Sequence, residues 1–250
     1  MAMIQDFITR LGKRRFRFSA PIDPDHSFVA IGDIHGHDDL LEALLDKLEA
    51  EAPGLPVVCL GDYVDRGPDS AKVLRRLADL EQGRGPGDVV CLMGNHEAMM
   101  IDFLHLPNSK WPLWSRNGGR ETLRSFGIDP DDGSNPDQLS AALRDRAGEE
   151  LLDWIAHRPL IWRNGNIVAS HAGGDPTQPI QAHRGHGLLW GHPKLFSTPR
   201  KDDLWVVHGH FIRTAPEFRD GRIGIDTGAF QTGRLTAAII EPGHVRFLST

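Results

Sequence analysis

The sequence predicts an α/β protein whose first half consists of parallel β-α-β units and whose second half is largely β. Three observations lead there. Short apolar runs at Phe28–Ile31, 57–60 and 89–92 are each followed at once, or two residues on, by a glycine (Gly32, Gly61, Gly94), as in buried parallel strands. Helical patterns separate them, and both intervals are about 30 residues, the length of a β-α-β unit. Beyond residue 160 the helical patterns give way to short strand patterns that recur to the C-terminus.

The elements follow in order. After the first strand a helix is expected from about Asp38, with Leu40, Leu41, Leu44, Leu45 and Leu48 on one face and Asp38 and Asp39 at the positive end of its dipole. Pro53-Gly54 turns the chain back to the strand Val57-Val58-Cys59-Leu60. Pro68 suits the first turn of a second helix that buries Val73, Leu74, Leu77 and Leu80 and ends near Gly83, before the strand Val89-Val90-Cys91-Leu92. Residues 98–159 read as a helical insertion, turn-rich at 129–136. Leu160-Ile161-Trp162 and Ile167-Val168-Ala169 flank Asn164-Gly165, a hairpin signal. Further strands are expected at 205–207, 222–225, 235–240 and 245–247, in antiparallel pairs. A single domain over residues 1–250, with residues 1–25 as an N-terminal arm, is the expected organisation.

The chain has 250 residues, 40% hydrophobic and 25% charged, enough for a sizeable core. A net charge of −6 argues against nucleic acid and anionic membranes as partners. The basic cluster Lys13, Arg14, Arg15 and Arg17 reads as a solvated arm or helix end. No apolar run suffices to span a bilayer, and no signal peptide is evident. Cys59 and Cys91 fall within core strands and are expected as buried, reduced thiols, which points to the cytoplasm. Only side-by-side strands would allow a disulfide between them.

The strand ends carry the chemistry: Gly32-Asp33-Ile34-His35-Gly36, Gly61-Asp62-Tyr63-Val64-Asp65-Arg66-Gly67 and Gly94-Asn95-His96-Glu97. Each alone reads as a polar turn after a strand. Together, at one carboxyl-terminal sheet edge, they read as a two-metal site. Asp33 and His35, two residues apart, point the same way in extended geometry and suit one ion. Asp62 has two oxygens with which to bridge two ions, and Asn95 offers a neutral oxygen from the third strand. Among the 13 histidines, His171 and His210 stand after strands beside glycines that let the backbone turn sharply, and complete the set. His37, His105, His157, His183 and His186 read as surface or helix-side residues, and His208 as packed or supporting.

These motifs, with Ser170-His171-Ala172-Gly173, His208-Gly209-His210 and Ile225-Asp226-Thr227-Gly228, resemble the phosphoprotein phosphatase family of metallophosphoesterases in its bacterial and phage branch. The resemblance runs from Phe28 to about Ile240. It implies a four-layer α/β/β/α sandwich with mixed sheets, and two divalent ions, manganese expected and iron or zinc as alternatives. Asp33, His35 and Asp62 would hold one ion; Asp62, Asn95, His171 and His210 would hold the other. Hydrolysis would proceed by direct attack of a metal-bridging hydroxide. His96 would protonate the leaving oxygen, Asp65 would stabilise its charged form, and Arg66 and Asn95 would bind phosphoryl oxygens. His192, in Leu188-Leu189-Trp190-Gly191-His192, stands where the family commonly has a second phosphate-binding Arg; Arg184, Lys194 or Arg120 are alternatives. Trp111, Trp114 and Asn117-Gly118-Gly119-Arg120 resemble a segment near the active-site mouth, and read equally as a helix anchored by buried tryptophans. Asp226-Thr227 is expected to support the metal-binding loops.

The expected substrate is a phosphoprotein or small phosphoester, with phosphoserine or phosphothreonine favoured by Asp65 preceding Arg66 and by Glu97 after His96. A dinucleoside polyphosphate hydrolase is the main alternative. A non-catalytic interaction module on the same fold is a third.

Overall fold

The computed structural model describes residues 18–131 and 133–250, so Lys13, Arg14, Arg15 and Arg17 lie outside the described residues. Among the described residues, ten strands form two mixed five-stranded sheets. The first has the order β10 (His244–Ser249), β9 (Thr236–Glu241), β1 (Phe28–Ile31), β2 (Val57–Cys59), β3 (Val89–Cys91). The second has the order β4 (Trp162–Asn164), β5 (Ile167–Ala169), β6 (Trp205–His208), β8 (Arg222–Gly224), β7 (Glu217–Arg219). β1, β2 and β3 are parallel, with α1 (Asp38–Glu51) and α2 (Ser70–Gly83) as crossovers. A helical segment follows: α3 (Asn95–His105), α4 (Pro107–Trp114), α5 (Gly119–Ser125), α6 (Pro136–Ala147) and α7 (Glu149–Ala156). The short helices α8 (His186–Trp190) and α9 (Ala229–Thr232) come later.

Strand alternation explains both the layering and the continuous apolar runs. Phe28, Ala30, Val58 and Leu60 face Ile167, Ala169, Val207 and Ile223 in the layer between the sheets. Their neighbours Val29, Ile31, Val57 and Cys59 point the other way, against Leu41, Leu44 and Leu48 of α1 and Val73, Leu74 and Leu77 of α2. On the outer face of the second sheet, Val168 packs with Ile180, Leu188 and Leu204. A strand buried on both faces needs no polar positions, so β1 reads FVAI. The result is the expected four-layer sandwich.

Two expectations change in detail, the pairing within the second sheet and the position of the hairpin turn. β5, β6 and β8 are parallel to one another, and antiparallel pairing in the second sheet is confined to its edges, β4 and β7. The last two strands leave that sheet: β9 lies antiparallel beside β1, and β10 beside β9. Periodicity marks a strand but not its partner, so this crossover was not legible. Asn164 lies within β4, paired with Ile167, so the tight turn is Gly165-Asn166.

The described part of the expected N-terminal arm is no solvated tail. Phe18 and Ile22 are buried in the inter-sheet core, and the Trp205 indole N–H donates to the Ala20 carbonyl at 3.0 Å. Cys59 and Cys91 lie side by side in the β2–β3 register, both buried and free. Among the described residues no helix is long and apolar enough to cross a membrane.

Candidate metal centre

Three loops at the carboxyl ends of β1, β2 and β3 are tied together by their backbones. The N–H groups of Ile34 and His35 donate to the Asp62 carbonyl at 3.0 and 2.8 Å, and Gly36 N–H donates to the Tyr63 carbonyl at 2.8 Å. Glu97, fully buried, fastens the third loop to the second. Its carboxylate accepts the N–H groups of Asp62 (2.8 Å), Tyr63 (2.7 Å), Val64 (3.2 Å) and Gly94 (2.9 Å). Burial, reinforced by the Asp62 charge, pushes its pKa up to about 7 against the pull of these N–H groups. Glu97 is therefore a brace. β3 ends at Cys91, and Asn95 opens helix α3 rather than ending a strand.

The backbone at this junction is strained. Among the described non-glycine residues, His35, Asp62, Asp65, Arg66 and His210 all have φ between 48° and 72°. Each left-handed residue costs roughly 1–2 kcal/mol, and such conformations gather where function requires them. Gly209 shows how close the packing is: a Cβ there would lie 1.9 Å from Asp33 Oδ1. Its absence lets the His210 N–H reach the Asp33 carboxylate at 3.0 Å.

Two groups of potential ligands converge on Asp62. His35, Asp62 and His96 form one, and Asp62, His171 and His210 the other, with the ligand atoms of each group within 4.8 Å of one another. His35 Nδ1 is bonded to the Val64 carbonyl at 2.9 Å, leaving Nε2 facing Asp62 Oδ2 at 3.6 Å. His171 Nδ1 is likewise bonded to the Leu60 carbonyl at 2.9 Å. Its Nε2 lies 2.8 Å from Asn95 Oδ1, 3.2 Å from His210 Nδ1 and 3.3 Å from Asp62 Oδ1. An imidazole anchored through one nitrogen to a backbone carbonyl, with the other aimed at a carboxylate, is the usual disposition of a metal-ligating histidine. Lone pairs converging this closely, in a buried pocket, fit a cation.

The charge balance agrees. Burial, with the nearby Asp226 and Asp62 carboxylates, holds Asp33 well above the ordinary carboxylate range. Burial, with the Asp62 charge, pushes the Asp226 pKa up to about 6 against the pull of the Gly228 N–H it accepts. For Asp62 burial works the same way, but His171, His96 and His35 hold its pKa well below the ordinary value. Burial lowers His35 to about 3 and His210 to about 4, so both imidazoles are neutral and free to ligate. His171 is the exception: burial opposes its charge, yet Asp62 draws it up to about 10. Asp33 belongs to neither group and joins the cluster through the His210 N–H, while His96 belongs to the first.

His96, Asp65 and Arg66 stand against this cluster. His96 N–H donates to Asp62 Oδ1 at 3.0 Å, and His96 Nδ1 meets Asp65 Oδ2 at 2.6 Å. The Arg66 guanidinium lies 3.2 Å from His96 Nε2 and 4.3 Å above the Phe230 ring. Asp65, fully buried, also accepts the Trp114 indole N–H at 3.1 Å and the Thr122 hydroxyl at 2.6 Å. Gly118 packs against the same loop: at φ 109°, a Cβ there would lie 2.3 Å from the Arg66 backbone nitrogen. The helical segment thus seats the Asp65–His96 pair. Trp114 is both a buried anchor and a donor, a role sequence patterning did not reveal for Thr122. Thr122→Val is expected to lose about 1.5–3 kcal/mol of stability by urea unfolding, the range for hydrogen bonds to charged groups.

The remaining residues fall elsewhere. His192 faces Asp175 at 3.6 Å and accepts the Lys194 N–H at 3.3 Å, and no described hydrogen bond or ion pair joins it to Asp62, His96 or Arg66. Arg120 donates to the Pro130 carbonyl and lies over Trp111. Arg184 and Lys194 are exposed. His208 is buried, bonded to the Gly209 carbonyl at 2.9 Å, and outside both groups. Asp226 accepts the Gly228 N–H at 2.9 Å, and its carbonyl accepts the Arg213 N–H, so it supports its own loop beside Asp33.

A two-sheet sandwich with histidines and carboxylates gathered at one strand edge defines a protein with a candidate metal centre at that edge. Residues 26–214 match the calcineurin-like phosphoesterase family, and the chain belongs to it. The family uses a dinuclear metal centre, and the two groups around Asp62 are its candidate ligands here. The chain is 35% identical over 151 residues to a symmetrical bis(5′-nucleosyl)-tetraphosphatase of Acidovorax sp. (strain JS42), covering 59% of this chain and 44% of that protein. It spans less than half the length of this relative and of two more so named. An asymmetrical bis(5′-nucleosyl)-tetraphosphatase, PrpE, of Bacillus velezensis is 27% identical over 234 residues, 84% of this chain and 87% of that one. The fold is also that of a cold-active protein-tyrosine phosphatase of a psychrophilic Shewanella sp., with a TM-score of 0.60 at 18% identity, covering 91% of this chain and 83% of that one.

Proposed function

We propose that this protein hydrolyses a dinucleoside polyphosphate of the bis(5′-nucleosyl)-tetraphosphate class, with two divalent ions as cofactors. The observation that carries the reading is Asp62, shared by two ligand groups and touching His96, with Arg66 alongside. The names of the sequence relatives direct it to dinucleotides. His35, Asp62 and Asp33 would hold one ion, and Asp62, Asn95, His171 and His210 the other. Manganese is the metal to try first, iron or zinc next. Ions bound there supply Lewis acidity and acidify water.

The chain's own groups do the rest. Arg66, steadied on Phe230, presents its guanidinium to phosphoryl oxygens as charge builds on them. His96 keeps one proton on Nδ1 toward Asp65 and gives the other from Nε2 to the leaving oxygen. Burial opposes the charged form of His96, but Asp62 and Asp65 raise its pKa above the usual value and favour the acid form.

Dephosphorylation of phosphoserine or phosphothreonine is the second reading, supported by the Asp65–His96 pair, which suits a poor alkoxide leaving group. Glu97 does not weigh for it, because all its described hydrogen bonds go to backbone N–H groups. Turnover of diadenosine tetraphosphate and of a phosphoserine peptide, compared as kcat/KM with added manganese, separates the two. Faster dinucleotide turnover is expected; a faster phosphopeptide would overturn the choice.

A further inference from the structure

We propose that the indole of Trp190 is the platform on which a purine base of the nucleoside polyphosphate stacks, a subsite that rests on the dinucleotide reading above. Trp190 ends α8 and meets the His210 ring edge-on, with ring centres 6.4 Å apart. The segment carrying it is anchored on both sides to the metal cluster. Leu188, buried, accepts at its carbonyl the N–H of Ala172, the residue after His171, at 2.7 Å. At Gly191 the chain turns with φ 77°, and a Cβ there would lie 2.3 Å from the Phe211 ring, which in turn packs against His210 at 4.8 Å. Backbone so fixed holds the indole in one place.

Fixed as it is, Trp190 stays 39% exposed. Water gains nothing from a tryptophan ring, and burying it elsewhere would stabilise the fold. A ligand that covers the ring accounts for its exposure. The other aromatic groups beside the cluster and at the surface are already engaged. Phe230, next to His35 at 5.2 Å, has its face under the Arg66 guanidinium. Phe218, the other exposed aromatic among the described residues, stacks on Trp205 with ring centres 4.7 Å apart. Trp190, met by His210 edge-on and bordered by His186, offers its exposed surface beside His210, while Arg66 and Phe230 lie beside His35. A phosphate chain held at the cluster would leave its nucleoside on the Trp190 side. His186, nearly parallel to the indole at 6.5 Å and 27°, borders the same place. Base–aromatic stacking contributes about 1–3 kcal/mol per base and tolerates any base.

The test compares two product-like diphosphate inhibitors, ADP and pyrophosphate, of which only ADP carries adenosine, against p-nitrophenyl phosphate turnover by the manganese-loaded enzyme. In the natural protein ADP should bind more tightly than pyrophosphate. Trp190→Ala and Trp190→Leu should each reduce that advantage about fivefold or more, as the loss of one base stack predicts, and Trp190→Phe should keep most of it. Leu preserves apolar bulk, so its result does not depend on Ala folding well. Equal inhibition by ADP and pyrophosphate in the natural protein, or an advantage unchanged in Trp190→Leu, overturns the platform. Failure of the dinucleotide reading shows separately, as faster phosphopeptide turnover before any substitution is made.

Discussion

Asp62→Ala is expected to cost more than about 100-fold in metal affinity, beyond the 10–100-fold typical of residues that only support a ligand, and to abolish turnover at ordinary manganese concentrations. The carboxylate is common to both ligand groups, so its removal leaves His35 and His96 on one side and His171 and His210 on the other without their shared anion. It also accepts the His96 N–H at 3.0 Å and faces His171 Nε2 at 3.3 Å, so the change disturbs the proton donor and the cluster together. Metal titration of the chelator-stripped variant, with activity measured across the same range, checks this. Activity restored by modest extra manganese would show that Asp62 is peripheral.

His96→Asn should retain metal and lose roughly 10²–10⁴-fold in kcat on an alkyl phosphate, the usual contribution of a general acid. On a phosphoanhydride the loss should be smaller, because a nucleotide leaving group departs readily without a proton. Comparing a phosphoserine peptide with diadenosine tetraphosphate in the same variant isolates this effect. The pH dependence has a definite sign. The acid form of His96 is required, and its pKa lies above the usual 6.5, raised by Asp62 and Asp65 despite burial. Turnover on the alkyl substrate should therefore fall as pH rises through the raised pKa of His96, above the usual 6.5, and His96→Asn should lack this fall. An equal loss on both substrates, with the alkaline fall still present, would remove His96 from the acid role.

Much of the site was legible because its residues sit at strand ends. Apolar runs announce β1, β2 and β3, and a parallel sheet leaves Asp33, His35 and Asp62 at one edge. The structure brings His171 and His210 to the same place from the second sheet, as their glycine context suggested. What was not legible depends on contacts distant in sequence. Thr122 and Trp114 reach Asp65 from the helical segment, 57 and 49 residues away, and no local pattern marks such a partner. Glu97 resembled a substrate-branch signature, yet its surroundings make it a brace. His192 stood by position for an arginine, but its loop turns it toward Asp175. In the fold, β9 returning beside β1 is a tertiary choice among equivalent apolar strands.

In the proposed centre Asp62 joins two metal sites. Native mass spectrometry of chelator-stripped protein, titrated with manganese, tests it most directly. Two ions per chain are expected in the natural protein, and loss of both from Asp62→Ala at the same manganese concentration. Saturation at a single ion, or two ions bound undiminished by Asp62→Ala, would contradict it.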